Sequence, residues 1–363
     1  MKNLLNIWIM LFLSLFITGC SGGSGSAPSY TPAPVTPTVR PDPLAGVKTW
    51  AIQLQNINEG TSLDELVDSK YDLLVLDPTR TDWLSEYQDF DTKSMVQRLK
   101  ETGGGNLSKK IVIAYVNIGQ AENWQWYWTW SRTWPEGEAK PSDWPDYIIT
   151  SDPDGWEGNY PVAYWDSDWQ DIIIYGQNQN SEPYGDYTSA LDEIIKDGFD
   201  GIYMDWVAGY EDSSVIARAE KDGKDAGSEM VKFINQIRTY CHSRKSDFII
   251  IQQNGSSLFR KDAKLFDYID AISQESIWYG ASGGFSDWND PSGYDERNDE
   301  ELTDYYVTNL NNYLKAGMPV LDVEYAVDFA SDAYGKSKEK GYIPYCTRRS
   351  LSRLTTTVPP DYK

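Results

Sequence analysis

The chain has 363 residues, and its 55 Asp and Glu against 32 Lys and Arg give a formal charge of −23. Affinity for nucleic acid comes mainly from Lys and Arg displacing counterions from phosphates, so this balance excludes a general nucleic-acid binder. The single histidine, His242, excludes HExxH zinc chemistry, a multi-histidine metal centre and a Ser-His-Asp triad with histidines to spare. Fifteen Trp and 25 Tyr in an otherwise ordinary globular composition leave carboxylates and aromatic faces as the carriers of any chemistry.

The N-terminus comes first in chain order. Met1-Lys2-Asn3 precedes an apolar stretch from Leu4 to Ile17, shorter than the ~20 residues a spanning helix needs. Ile17-Thr18-Gly19-Cys20 resembles the lipobox of bacterial lipoproteins. That resemblance implies a signal peptide over residues 1–19, a lipidated Cys20 and an exported protein held on a membrane by acyl chains, at about 0.8 kcal/mol per buried methylene. Ser21, where an Asp would favour inner-membrane retention, points to the outer membrane or cell surface. Residues 20–45 are rich in Ser, Gly, Pro and Thr and read as a flexible, then polyproline-like spacer, with the folded domain at 46–363.

Eight short apolar runs follow: 48–54, 72–76, 110–116, 201–204, 248–252, 269–273, 319–323 and 342–345. Helical patterns lie between most of them, at 62–68, 93–101, 187–196, 227–241, 299–315 and 330–338. Eight buried strands alternating with helices predict a parallel sheet closed into a (β/α)8 TIM barrel, a single domain with a Trp-rich insertion after the third strand. An open doubly wound sheet is the competing fold, but Gln53-Leu54-Gln55-Asn56 stands where its Gly-rich phosphate turn would be. The domain is expected to be a monomer. Cys241 and Cys346 either form one disulfide or remain buried thiols, and spacing leaves both open. His242 reads as a residue at a solvated helix end.

Barrel chemistry sits where strands end, and those ends are acidic. Asp77, Asp205, Glu275 and Glu324 close four runs, and the amides Asn117 and Asn254 close two more. One such carboxylate is readily a helix cap, whereas four from four strands point to a hard-metal site or to glycoside hydrolysis. The aromatics favour sugar. Trp124, Trp126, Trp128, Trp130, Trp134, Trp144 and Trp156 crowd the stretch 118–164, either to stack on pyranose rings or to pack an insertion without regular structure. Trp165, Trp206, Trp278 and Tyr279 stand at the rim and are expected substrate contacts.

The motifs AYVNIGQAE (114–122), DGFDGIYMDW (197–206), IIQQNG (250–255), QESIWYG (274–280) and VLDVEYA (320–326), in that order, resemble glycoside hydrolase family 114, the endo-α-1,4-polygalactosaminidase-like proteins. The resemblance implies cleavage of α-1,4-linked galactosamine-rich polysaccharide on a (β/α)8 barrel without metal or organic cofactor. It assigns Asp205 as nucleophile and Glu275 as acid/base of a retaining mechanism, with Asp77, Tyr115, Asn254, Glu324 and Tyr325 lining the sugar subsite. Glu324 beside Glu275 is expected to raise the acid's pKa. The sequence departs from the commoner family form at Gly119-Gln120-Ala121-Glu122, where a Glu often follows the Gly. An acidic cleft would attract a cationic polymer, although acidity serves solubility equally well. A non-catalytic glycan-binding lipoprotein on the same scaffold is the alternative function.

Overall fold

The computed structural model describes residues 42–78, 90–131, 134, 138–153, 155–176, 189–281, 288 and 295–363. The leader, Cys20 and the spacer before residue 42 lie outside the described residues. Eight strands pair in parallel and in chain order: β1 (Trp50–Gln53), β2 (Leu73–Leu76), β3 (Ile111–Asn117), β4 (Gly201–Asp205), β5 (Ile249–Gln253), β6 (Ala271–Glu275), β7 (Val320–Glu324) and β8 (Ile343–Cys346). The ends of that order meet through Trp50, whose indole N–H donates to the Ile343 carbonyl at 2.8 Å and whose ring lies 6.1 Å from Tyr345. The result is a (β/α)8 barrel.

Every strand is buried on both faces, one inside the barrel and one under helices, so each reads as a near-continuous apolar run. Inside, Trp50 stacks 6.4 Å from Tyr203, and Tyr71 meets Tyr345 edge-on at 5.6 Å. Around the barrel run α1 (Ser62–Asp68), α2 (Thr92–Lys100), α3 (Ala190–Lys196), α4 (Ser213–Lys221), α5 (Ala226–Arg244), α6 (Leu265–Tyr268), α7 (Glu300–Lys315) and α8 (Ala330–Lys340). Side-chain oxygens start most of them: Asp91, Ser189, Asp212, Asp225 and Asp299 each accept a backbone N–H of the first turn. Gly201 opens β4 because a Cβ there would lie 2.2 Å from the Ile249 carbonyl oxygen on β5.

Helices α4 and α6 lack a strong signal. In SSVIARAEK only Val215 and Ala219 are buried, and α6 is a single turn. The helix expected from 187 begins at Ala190, while 187 and 188 lie outside the described residues. The fold also starts earlier than residue 46, since Leu44 is buried in the core. Cys241 on α5 and Cys346 on β8 are separate buried thiols. His242 is not simply solvated: its ring nitrogen Nε2 is 2.9 Å from the Phe248 carbonyl, tying the end of α5 to the start of β5.

The insertion after β3 is anchored by a two-stranded ribbon, Gln120–Glu122 against Asn159–Pro161. Its aromatics pack mainly on one another. Trp128 lies 5.0 Å from Trp130, 4.8 Å from Trp144 and 5.4 Å from Tyr160, and Trp126, Trp128 and Trp144 are buried. Trp124, Trp130 and Trp134 are half-buried, and Trp156 is exposed, at 37%, with the Arg349 guanidinium 5.1 Å over its ring.

Candidate active site

Strand periodicity decides which rim residues face the barrel interior. Side chains alternate across a strand, so Tyr203 on β4, whose hydroxyl donates to Ser273 Oγ on β6 at 3.0 Å, fixes the inward parity of both. Asp205 and Glu275, two residues further along, face the same way. Tyr115 on β3, Gln253 on β5 and Tyr325 just past β7 share that parity, and each reaches one of the two acids.

Asp205 accepts from the Tyr115 hydroxyl, and its Oδ1 accepts the Trp206 backbone N–H at 2.7 Å. Burial pushes its carboxyl up to about 6, and the charge of Glu275 adds to that. Glu275 is held more fully. Oε1 accepts from the Tyr325 hydroxyl at 2.6 Å, and Oε2 accepts from the amides of Gln253 at 2.7 Å and Asn254 at 3.0 Å. Asn254 Oδ1 in turn accepts the Glu275 backbone N–H at 3.0 Å. Asn254, Trp206 and Ser276 all take left-handed conformations, with φ of 55°, 58° and 53°, so the chain turns sharply at the mouth directly beside both acids.

Trp206 is wedged between two glycines. A Cβ at Gly209 would lie 2.1 Å from its ring, and one at Gly119 2.6 Å from its carbonyl oxygen and 2.9 Å from the ring. Gly209→Ala should therefore push the indole and the Asp205 backbone out of place, lowering kcat at least tenfold with a smaller loss of thermal stability. Steady-state kinetics beside a melting curve checks this, and unaltered kcat would refute it.

An open recess of about 530 Å³ lies on the β2–β3 side, lined by Asp77, Tyr115, Glu122, Trp126 and Tyr127 among others, and its Tyr115 donates to Asp205. Glu122, absent from the residues expected at the site, is held here with its pKa pushed up to about 8 by burial, the charges of Asp77 and Asp205 adding to it. Gln120 explains the departure noted in its motif. Its side chain accepts from Asn117 and Asn159, both at 3.1 Å, and donates to Asp152. A Glu at 120 would set two carboxylates against each other in a buried place.

Several expected contacts are committed elsewhere. Asn117 caps its own loop by accepting the backbone N–H groups of Gly119 and Gln120, although it also borders the recess. The Trp165 indole donates to Asp222, beyond the end of α4, at 3.0 Å. Trp278 is buried with its N–H on Ser337 of α8, and the Tyr279 hydroxyl donates to Asp332. Glu324 has the opposite parity from Tyr325 and faces the helix layer. Its oxygens accept the backbone N–H groups of Ile277 (2.7 Å), Trp278 (3.0 Å) and Tyr279 (2.7 Å), so it neither lines the cleft nor stands free beside Glu275. Gln253 was legible only through its inward parity in IIIQQ, and Glu122 only as the last residue of AYVNIGQAE.

Two acids brought to one barrel mouth by β4 and β6 are the arrangement on which barrel glycoside hydrolases work, and this chain falls in that class. It belongs to glycoside-hydrolase family GH114, whose model matches residues 28–361. An uncharacterized protein of Deinococcus radiodurans is 30% identical over 95% of this chain and 97% of its own length, and one of Methanocaldococcus jannaschii is 30% identical over 85% and 78%. Among solved structures, the glycoside hydrolase domain of PelA from Pseudomonas aeruginosa matches 85% of this chain and 98% of that chain, with TM-score 0.57 and 16% identity. Aspergillus fumigatus Ega3, crystallised in complex with galactosamine, matches 90% and 98%, with TM-score 0.51 and 16% identity. At these identities the two share the fold.

Proposed function

We propose that the protein hydrolyses α-1,4-linked, galactosamine-containing polysaccharide by a retaining two-carboxylate mechanism. The observation that carries the reading is the convergence of Asp205 and Glu275, each bound by a tyrosine hydroxyl, at the mouth of a GH114 barrel. The galactosamine held by Ega3 supports the sugar class. Asp205 attacks the anomeric carbon while the Tyr115 hydroxyl on Oδ2 and the Trp206 N–H on Oδ1 hold its carboxylate in place. Glu275 gives its proton to the leaving oxygen, then takes one from the water that releases the sugar from Asp205. The Gln253 and Asn254 amides fix Oε2 of Glu275, leaving Oε1, on Tyr325, as the oxygen that exchanges the proton.

The nucleophile must be ionised, which sets the acid side of the pH profile. With Asp205 raised to about 6, kcat/KM should fall tenfold per pH unit below about pH 6 and level off above it. A limb near pH 4 would mean that Asp205 is not the group whose ionisation matters.

The decisive assay follows oligosaccharide release by the full chain from galactosamine-containing polymers, then from a panel of α-glycans, with and without chelator. Chelator-insensitive cleavage that is lost in Asp205→Asn and Glu275→Gln establishes the mechanism, and proton NMR of the first product gives the anomer. No cleavage by the folded wild type, with saturable glycan binding, favours the glycan-binding alternative. The resemblance of Ile17–Cys20 to a lipobox supports an exported lipoprotein held on a membrane; Cys20→Ser should release it to the soluble fraction.

A further inference from the structure

Glu324 is fully buried, and so is Asp322, two residues before it on the same outward face of β7. Their carboxyl groups interact within one dry site, where two carboxylates would repel each other unless one of them keeps a proton. The remaining contacts say which. Glu324 uses both oxygens to accept three backbone N–H groups, the surroundings of a carboxylate. Asp322 accepts from the Ser337 hydroxyl through Oδ2, and its Oδ1 has no hydrogen-bond donor among the described residues. An Asp322 O–H directed at Glu324 accounts for that atom.

What the pair holds is the segment that leaves Glu275. Ser276 turns left-handed, its N–H donates to the Val323 carbonyl at 2.8 Å, and Ile277, Trp278 and Tyr279 then hang on Glu324. Trp278 is pinned a second time, through Ser337, to Asp322. On the other side, Glu324 is followed directly by Tyr325, whose hydroxyl holds Glu275. Building on the glycosidase reading, we propose that Asp322 and Glu324 are positioning residues, a carboxylic acid–carboxylate pair sharing one proton that clamps 277–279 and so sets Glu275 against Tyr325.

The groups facing the pair are the Cys346 thiol of β8, the Tyr342 hydroxyl just before β8, Tyr306 of α7 and Tyr279 of the clamped segment, with Lys336 of α8 5.2 Å over the Tyr279 ring and Asp332 beside it. Burial raises both carboxyls of the pair above their ordinary values, and the repulsion of two charges in one dry site adds to it. A proton bound more tightly in the fold than in the unfolded chain stabilises the fold at low pH, and that contribution is lost as pH rises through the folded value. When the proton leaves, two charges share one dry site and the clamp loosens.

Two full-chain variants separate the parts of this inference. Asp322→Asn supplies an N–H toward Glu324 with no proton to lose. It should keep kcat within about threefold of wild type and flatten the decline of melting temperature between pH 5 and pH 9. Glu324→Gln turns an NH2 toward amides that need an acceptor. It should lower kcat at least 100-fold with KM changed less than threefold, and speed amide hydrogen exchange at 277–279 at least tenfold. Exchange and melting need no substrate, so they judge the clamp even if the glycosidase reading fails. Unchanged exchange in Glu324→Gln overturns the clamp, and faster exchange with unchanged kcat overturns its role in positioning Glu275. A wild-type pH dependence of melting in Asp322→Asn overturns the shared proton, and it can be read whether or not Glu324→Gln folds.

Discussion

Asp205→Asn should reduce turnover by about 10⁴-fold or more while leaving the barrel folded, the scale of loss when a nucleophile is removed from a set of groups that act as a unit. Glu275→Gln should cost about 10²- to 10⁴-fold on the natural polymer, the usual reach of general acid catalysis. The two losses respond differently to the leaving group. An aryl glycoside departs without a proton, so it should restore much of the first step in Glu275→Gln and none in Asp205→Asn; equal rescue of both would reverse or dissolve the assignment. Stability should move the other way. Asp205 holds its proton more tightly in the fold than in the unfolded chain, since its pKa rises to about 6, so its contribution is present at low pH and is lost as pH rises through about 6. Asp205→Asn can keep its oxygen on the Trp206 N–H and turn its NH2 to the Tyr115 hydroxyl, and it has nothing to ionise, so at pH 7 to 8 it should be more stable than wild type, by at most about 3 kcal/mol because solvent at the rim relieves part of the penalty. Melting curves at pH 5 and pH 8 check the sign, with the gain expected only at the higher pH.

The barrel was readable in the sequence because its physical signal is local. A strand buried on both faces must be apolar at successive positions, and each of the eight runs from KTWAIQL to YIPY has a strand at its core. Asp205 and Glu275 were readable for a related reason: a polar residue that closes such a run is forced to the mouth. What the runs did not reveal was parity at their ends. Glu324 closes LDVE as Glu275 closes ISQE, yet the inward register falls on Tyr325 and turns Glu324 to the helix side. Val323, not Glu324, is the partner of Glu275 in the ladder, a fact that belongs to the pairing of two strands and to neither alone. The hydrogen bonds of Trp165 and Trp278 were hidden likewise, because Asp222 and Ser337 lie 57 and 59 residues away from them in the chain.

The tryptophan-rich insertion carries the second large expectation, since its residues 125–127 wall the recess next to Tyr115 only if the whole segment is held down. Trp169 is the nail. Its indole is fully buried, its N–H donates to the Ile118 carbonyl at 2.9 Å, and its ring meets Tyr127 edge-on at 5.6 Å and Tyr147 at 5.7 Å. Those contacts reach from the turn after the ribbon back to the end of β3, and Tyr127 continues them, its hydroxyl accepting the backbone N–H of Glu122 at 2.9 Å. Trp169→Ala should destabilise the chain by about 3 to 5 kcal/mol, the range for deleting a buried aromatic, and it strands the Ile118 carbonyl as well. Trp126→Ala also removes an aromatic, but from the recess wall and not from the anchor, so its thermal cost should be smaller. If insertion aromatics serve packing first and sugar second, Trp169→Ala lowers the melting temperature and kcat together, whereas Trp126→Ala raises KM with little change in melting. Equal melting temperatures for Trp169→Ala and wild type would show that the insertion is not anchored by this ring, and the recess would then owe its shape to the β3 end alone.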